Sequence, residues 1–147
     1  MDRVKIDNDL SVLNFPPEAH DMQNLAEAGF KTVVNLRQAG EQGEKLSPQT
    51  EAEEVREAGL EYLHYPVSPP DLTAAKAKGL AVRLEQLPGP VAIHCASGRR
   101  ASLMALVSWA HQHNCGASAT ADRGRESGLD ISEAELSPML VESEAQA

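Results

Sequence analysis

The sequence of 147 residues predicts an α/β domain. Short β-branched or apolar runs alternate with longer segments of helical character. Glycine or proline marks most of the junctions between them. The run VAIHC (91–95) is apolar until it reaches a histidine and a cysteine, as a central strand covered on both faces should be.

Taken in order, LSVLNF (10–15) reads as the first strand. PPEAHDMQNLAEAGF (16–30) reads as a helix, with prolines at its start and Gly29 near its end. KTVVNLR (31–37) is a second, strongly β-branched strand. A polar loop, QAGEQGEKLSP (38–48), leads to an amphipathic helix at 49–59, closed by a glycine. LEYLHYPV (60–67) is a further strand, and SPPD leads to a helix over 72–87. PGP then turns the chain into VAIHC. ASLMALVSWAHQH (101–113) is apolar on nearly every face, so it belongs deep in the domain. Helices around 117–126 and 131–141 close a single domain over 1–147, with 142–147 a frayed tail.

Composition narrows the function classes. A hydrophobic share of 41% and a charged share of 24% suit a soluble domain with a sizeable core. The net charge of −9 argues against nucleic-acid binding. The five aromatics, Phe15, Phe30, Tyr62, Tyr65 and Trp109, make a base-stacking platform improbable. No apolar run reaches the roughly 18 residues of a membrane span. The opening MDRVKIDNDL lacks a secretory apolar stretch, which points to a cytoplasmic protein. Cys95 and Cys115 are then expected as free thiols.

The stretch HCASGRRAS (94–102) carries the chemistry. A buried strand delivers Cys95, and a helix starts a few residues later. Backbone N–H groups of the intervening loop should converge at the positive end of a helix dipole. Such a nest binds anions, and Gly98 allows the turn a positive φ. An arginine there can grip an oxyanion through two parallel hydrogen bonds. The same field favours a thiolate, so the stretch reads as an anion-binding nucleophile.

These residues resemble the His-Cys-x-x-Gly-x-(x)-Arg signature of cysteine-dependent phosphatases. With LAEAGFKTVVNLR, EAGLEYLHYPV, LPGPVAIHCASGRRAS and RGRESGLD in order, the chain resembles the phosphatase-like domain of the beta-lactamase hydrolase-like family. That resemblance implies a cysteine-phosphatase-like fold, with a mostly parallel central sheet flanked by helices. It implies hydrolysis of phosphate monoesters of the tyrosine or dual-specificity type through a cysteinyl-phosphate, with no metal or organic cofactor. It makes Cys95 the nucleophile and Arg100 the clamp, with Ala96, Ser97, Gly98 and Arg99 forming the substrate-binding loop. His94 would organise that loop, and Ser102 is a candidate to assist the leaving thiolate. Arg99 would face solvent or guide anionic substrates. The expected partner is a phosphorylated protein or a small phosphate ester.

Four residues separate Cys95 from Arg100. Tyrosine phosphatases usually have five there, and rhodanese-type sulfurtransferases have four. Sulfur transfer through a Cys95 persulfide, or oxyanion binding without turnover, therefore stand as alternatives. Phosphate-ester cleavage also needs a proton donor for the leaving group. Asp71, in the loop PVSPPDLT, is the candidate; the same residue is placed to cap the helix that follows. Glu41 and Glu44 lie in a loop that can reach the same sheet edge. Arg37 is expected in solvent or in an ion pair rather than as a second anion contact. EAEEVRE (51–57) reads as a solvated helix face. HQHNC (111–115) reads as a helix end rather than a metal site.

Overall fold

The computed structural model describes residues 2–146, with side chains described for 2–140. Its strands are β1 (Arg3–Asp7), β2 (Leu10–Leu13), β3 (Thr32–Asn35), β4 (Glu61–His64) and β5 (Val91–His94). They form one sheet in the order β1-β2-β5-β3-β4. β1 and β2 run antiparallel, and the other three pairings are parallel. The α/β class with a mostly parallel sheet is thus observed.

β5 lies at the centre, and all four of its residues are buried. Strand alternation sends successive side chains to opposite faces. Val12, Val34 and Ile93 face one core, beneath α3 (Ala74–Glu85) and α4 (Arg99–His113). Leu13, Val33 and Ala92 face the other, with Met22 and Leu25 of α1 (Ala19–Glu27) and Val55 of α2 (Pro48–Glu57). The same alternation parts His94 from Cys95. Cys95 joins the α3–α4 core, whereas His94 meets a residue of α2. α5 (Ala117–Glu126) and α6 (Glu133–Gln146) pack on the α4 side.

Several boundaries differ from those expected. The sheet contains β1, which was not predicted; its residues pair across a tight turn with β2, so the predicted first strand is the second. The first helix begins at Ala19 rather than Pro16, because Asp21 turns back to accept the Glu18 amide at 2.8 Å. α2 begins at Pro48, where Ser47 Oγ accepts from Thr50 N at 3.2 Å. α4 begins at Arg99 and not at Ala101, so both arginines lie in its first turn. Ala101 to Ala110 are all buried, as the all-round apolar pattern required. The tail expected at 142–147 falls on residues whose side chains lie outside the described set. No helix among the described residues is long and apolar enough to cross a membrane.

Candidate active site

The site forms where β5 runs into α4. Gly98 is the residue that starts the helix, and its φ of +100° is a conformation that side-chain-bearing residues rarely adopt. A Cβ added there would lie 2.9 Å from Asn14 Oδ1, so the position is closed sterically as well. This turn folds the loop back over Cys95. Cys95 is 1% exposed, and its Sγ accepts from Gly98 N at 3.2 Å and Ala101 N at 3.3 Å. The sulfur thus sits at the N-terminus of α4, in the positive field of a 15-residue helix. Cys115 is also a free thiol.

Arg100 and Arg99 part company. Arg99 faces solvent, one of the two expected outcomes, with its side chain about half exposed and paired with Glu135 of α6. Arg100 turns inward. Its Nη1 donates to Val67 O at 2.8 Å, and its two terminal nitrogens fork onto Glu41 Oε2 at 2.8 Å and Oε1 at 2.6 Å. The Glu41 carboxylate raises the guanidinium's affinity for its proton against the opposing effect of burial, and Cys95 adds to the rise. In return Arg100 holds Glu41 below the usual carboxylate range, and the Gln38 amide and Arg37 reinforce it against burial. Of the two arginines, Arg100 is the one whose guanidinium interacts with Cys95.

Arg37 is ion-paired, one of the two expected outcomes, but the pair is long. The residue is 3% exposed, its Nε stands 4.0 Å from Glu41 Oε1, and among the described residues Nε and Nη2 have no hydrogen-bond partner. Its backbone is anchored on both sides: the amide donates to Asn35 Oδ1 at 2.9 Å, and the carbonyl meets His64 Nε2 at 2.6 Å. Glu44 stays within its own loop, accepting from Gly40 N.

His94 has a partner that sequence reading missed. Its Nε2 lies 2.6 Å from Glu51 Oε2, with both residues essentially buried, and its Nδ1 has no partner. The stretch 51–57 is thus not wholly a solvated face. Glu51 shares its buried side with Ala52 and Val55, and that apolar spacing was the available signal. Tyr62, whose hydroxyl accepts from Asn35 Nδ2 at 3.1 Å, closes the group. Burial, with the Glu51 charge, pushes the Tyr62 phenol well above its usual range.

Asp71 does not cap the long helix; Thr73 does, accepting from Lys76 N at 3.2 Å. Asp71 instead braces a 3-10 turn (Pro69–Asp71), with Oδ2 accepting from Ser68 Oγ at 2.8 Å. It is exposed, and those Ser68 bonds hold its carboxyl below the usual range. Its loop is tied to Arg100 at one end, through Val67 O. Ser102 is buried in the first turn of α4, where its amide donates to Gly98 O. Among the described residues the sulfur's backbone donors are Gly98 and Ala101. Ala96 and Ser97 complete the loop. His111 and His113 end α4, where His113 stacks on Trp109.

Residues 3–112 match the family described as beta-lactamase hydrolase-like protein, phosphatase-like domain. The chain belongs to this family. A beta-lactamase hydrolase-like protein of Agrobacterium fabrum is 30% identical over 131 residues, which are 89% of this chain and 30% of that protein. One from Xylella fastidiosa is 29% identical over 101 residues, 69% of this chain and 23% of that protein. The chain therefore spans less than a third of these relatives' length. Among solved structures, Tk-PTP in its active form superposes with a TM-score of 0.76 at 19% identity, covering 99% of this chain and 97% of that one. A cysteine-to-serine variant of TpbA from P. aeruginosa, in complex with pTyr, gives 0.67 at 18% identity, covering 91% and 77%. The phosphatase-like domain thus shares its fold with protein tyrosine phosphatases.

Proposed function

We propose that this phosphatase-like domain hydrolyses phosphate monoesters through a cysteinyl-phosphate on Cys95. The observation that supports it most is the convergence on one sulfur of two backbone amides, a helix N-terminus and the Arg100 guanidinium. Donors so arranged stabilise charge on a phosphoryl group in transit, the two amides already in place and Arg100 once Glu41 releases it. In this reading the thiolate attacks phosphorus and the bond to the leaving oxygen breaks. Arg100 and the loop amides of 96–101 hold the other three oxygens. Water then attacks phosphorus, inorganic phosphate leaves, and the thiolate returns.

Phosphate must take Arg100 from Glu41, since that carboxylate now fills the fork. The leaving oxygen needs a proton, and Asp71 is its candidate donor. To serve, Asp71 has to release Ser68 and gain a proton that its present bonds disfavour. An Asp71→Asn variant tests this. Turnover of alkyl phosphates should fall by about 10²-fold or more, and aryl phosphates with good leaving groups should be affected least. Equal rates on both would remove Asp71 from the chemistry.

A second reading, sulfur transfer, is favoured by the four residues between Cys95 and Arg100. A shorter loop brings fewer donors around a tetrahedral group. Assays with p-nitrophenyl phosphate, and separately with thiosulfate and cyanide, decide between them. Phosphate release that disappears in Cys95→Ser is the expected result. Thiocyanate formation without phosphate release would replace this reading with the second.

A further inference from the structure

The Arg37 guanidinium is a buried charge that the proposed reaction does not use. Nε and Nη2 are the two donors on one edge of the fork, the edge that grips an oxyanion through parallel hydrogen bonds. Both lack a partner, although the residue is almost wholly buried. A buried cation left in that state is costly, and native structures rarely keep one without a reason. The neighbouring anion does not satisfy it. Glu41 is planar, and its two oxygens are spent on Arg100 and the Gln38 amide. Its nearer oxygen stops 4.0 Å from Arg37 Nε, beyond hydrogen-bond range. Two guanidinium groups therefore share one carboxylate, which hydrogen-bonds Arg100 and reaches Arg37 only as a long ion pair.

We propose that the ground between Arg37 and Arg100 is a second oxyanion seat, contiguous with the Cys95 cradle. The substrate is then a phosphate monoester that carries a further anionic group, carboxylate or phosphate, a few bonds from the scissile phosphorus. This rests on the phosphatase reading above. When the scissile phosphate takes Arg100, Glu41 leaves the fork, and the second anion meets the open edge of Arg37. Glu41 already shows that the seat accepts an oxyanion, and Arg37 supplies the donors that a carboxylate on Arg100 cannot reach. The backbone bonds of Arg37 to Asn35 and His64 hold the residue in place with or without a ligand.

The test compares 3-carboxyphenyl phosphate with its neutral isostere, 3-carbamoylphenyl phosphate. The wild-type protein should show kcat/KM about tenfold or more in favour of the carboxylate, the effect of a charge-assisted bidentate contact. Arg37→Gln should bring the ratio to near one, and Arg37→Lys, which keeps the charge and loses the fork, should bring most of that loss. A wild-type ratio of one overturns the inference by itself. That result leaves the phosphatase reading intact. If neither ester is hydrolysed, that reading fails, and calorimetric titration with pyrophosphate and with inorganic phosphate still judges the seat. Pyrophosphate should then bind about tenfold more tightly, with the margin lost in both Arg37 variants. Equal affinities, or a margin that survives Arg37→Lys, would overturn the seat. Circular dichroism melts of each variant show that the compared proteins are folded.

Discussion

The two ends of the parallel sheet are chemically opposite. At the carboxyl end of β5 lie Cys95, Arg100, Arg37 and the N-terminus of α4. At the amino end, a cleft of about 410 Å³ is bordered by Asp7, Asp9 and Glu85, beside Gly89 and Val91. Parallel strands followed by helices place the N-termini of α1 to α4 at one edge, so the connectivity sorts the field before any side chain contributes. In a chain of net charge −9, that sorting would favour an anion at one end over the other in the proposed reaction. The site's chemistry belongs to the topology as much as to the residues.

The difference is sharpened first by removing what lies beneath the carboxyl end. Glu51→Gln replaces the buried carboxylate that meets His94 by a neutral amide, and should cost about 3 kcal/mol in urea unfolding. The matched change at the amino end, Glu85→Gln, concerns an exposed residue and should stay within about 0.5 kcal/mol. Equal losses would mean that the two ends do not differ in the way described. Next in size, Arg100→Lys keeps a charge and loses the fork. It should lower kcat/KM for an aryl phosphate by about 10²–10³-fold, whereas Glu85→Gln leaves it unchanged. An Arg100→Lys enzyme with wild-type kinetics would show that bidentate geometry is not required.

The smallest effect concerns Glu41. Its carboxyl titrates below the ordinary 4.5 because of Arg100. A depressed folded pKa adds stability that is present above the ordinary value and lost as pH falls through the folded one. Wild type should therefore exceed Glu41→Gln by no more than about 1 kcal/mol at neutral pH, since the pair is partly screened. The gap should shrink as pH falls below 4.5 and close once the folded carboxyl is protonated. A gap that is the same at all pH values would mean that the carboxylate's charge plays no part in holding Arg100.

How far the sequence made this legible depends on whether a feature is local. The Cys95 loop, the need for glycine at 98 and the depth of α4 are all properties of adjacent residues, and they were readable. The core strands were also found, within two or three residues at their ends. β1 was missed because Arg3–Asp7 offers only two apolar residues, Val4 and Ile6, in alternation, and its register depends on β2. Glu51 was hidden in a run of charges, and only Ala52 and Val55 betray its buried face. Glu41 on Arg100 joins residues 59 positions apart, which no local pattern encodes. Asp71 was placed in the right loop, but the neighbouring Ser68 claims its carboxyl, and helix capping fell to Thr73.

The central claim is that the Cys95 sulfur takes up phosphorus. Rapid mixing with an aryl phosphate, denaturation within a turnover and mass spectrometry of the Cys95 peptide test it directly. A phosphoryl group on that peptide in the wild type, absent from Cys95→Ser, is the predicted result. Phosphate release that continues in Cys95→Ser, or a persulfide formed from thiosulfate with no phosphoryl adduct from the ester, would contradict it.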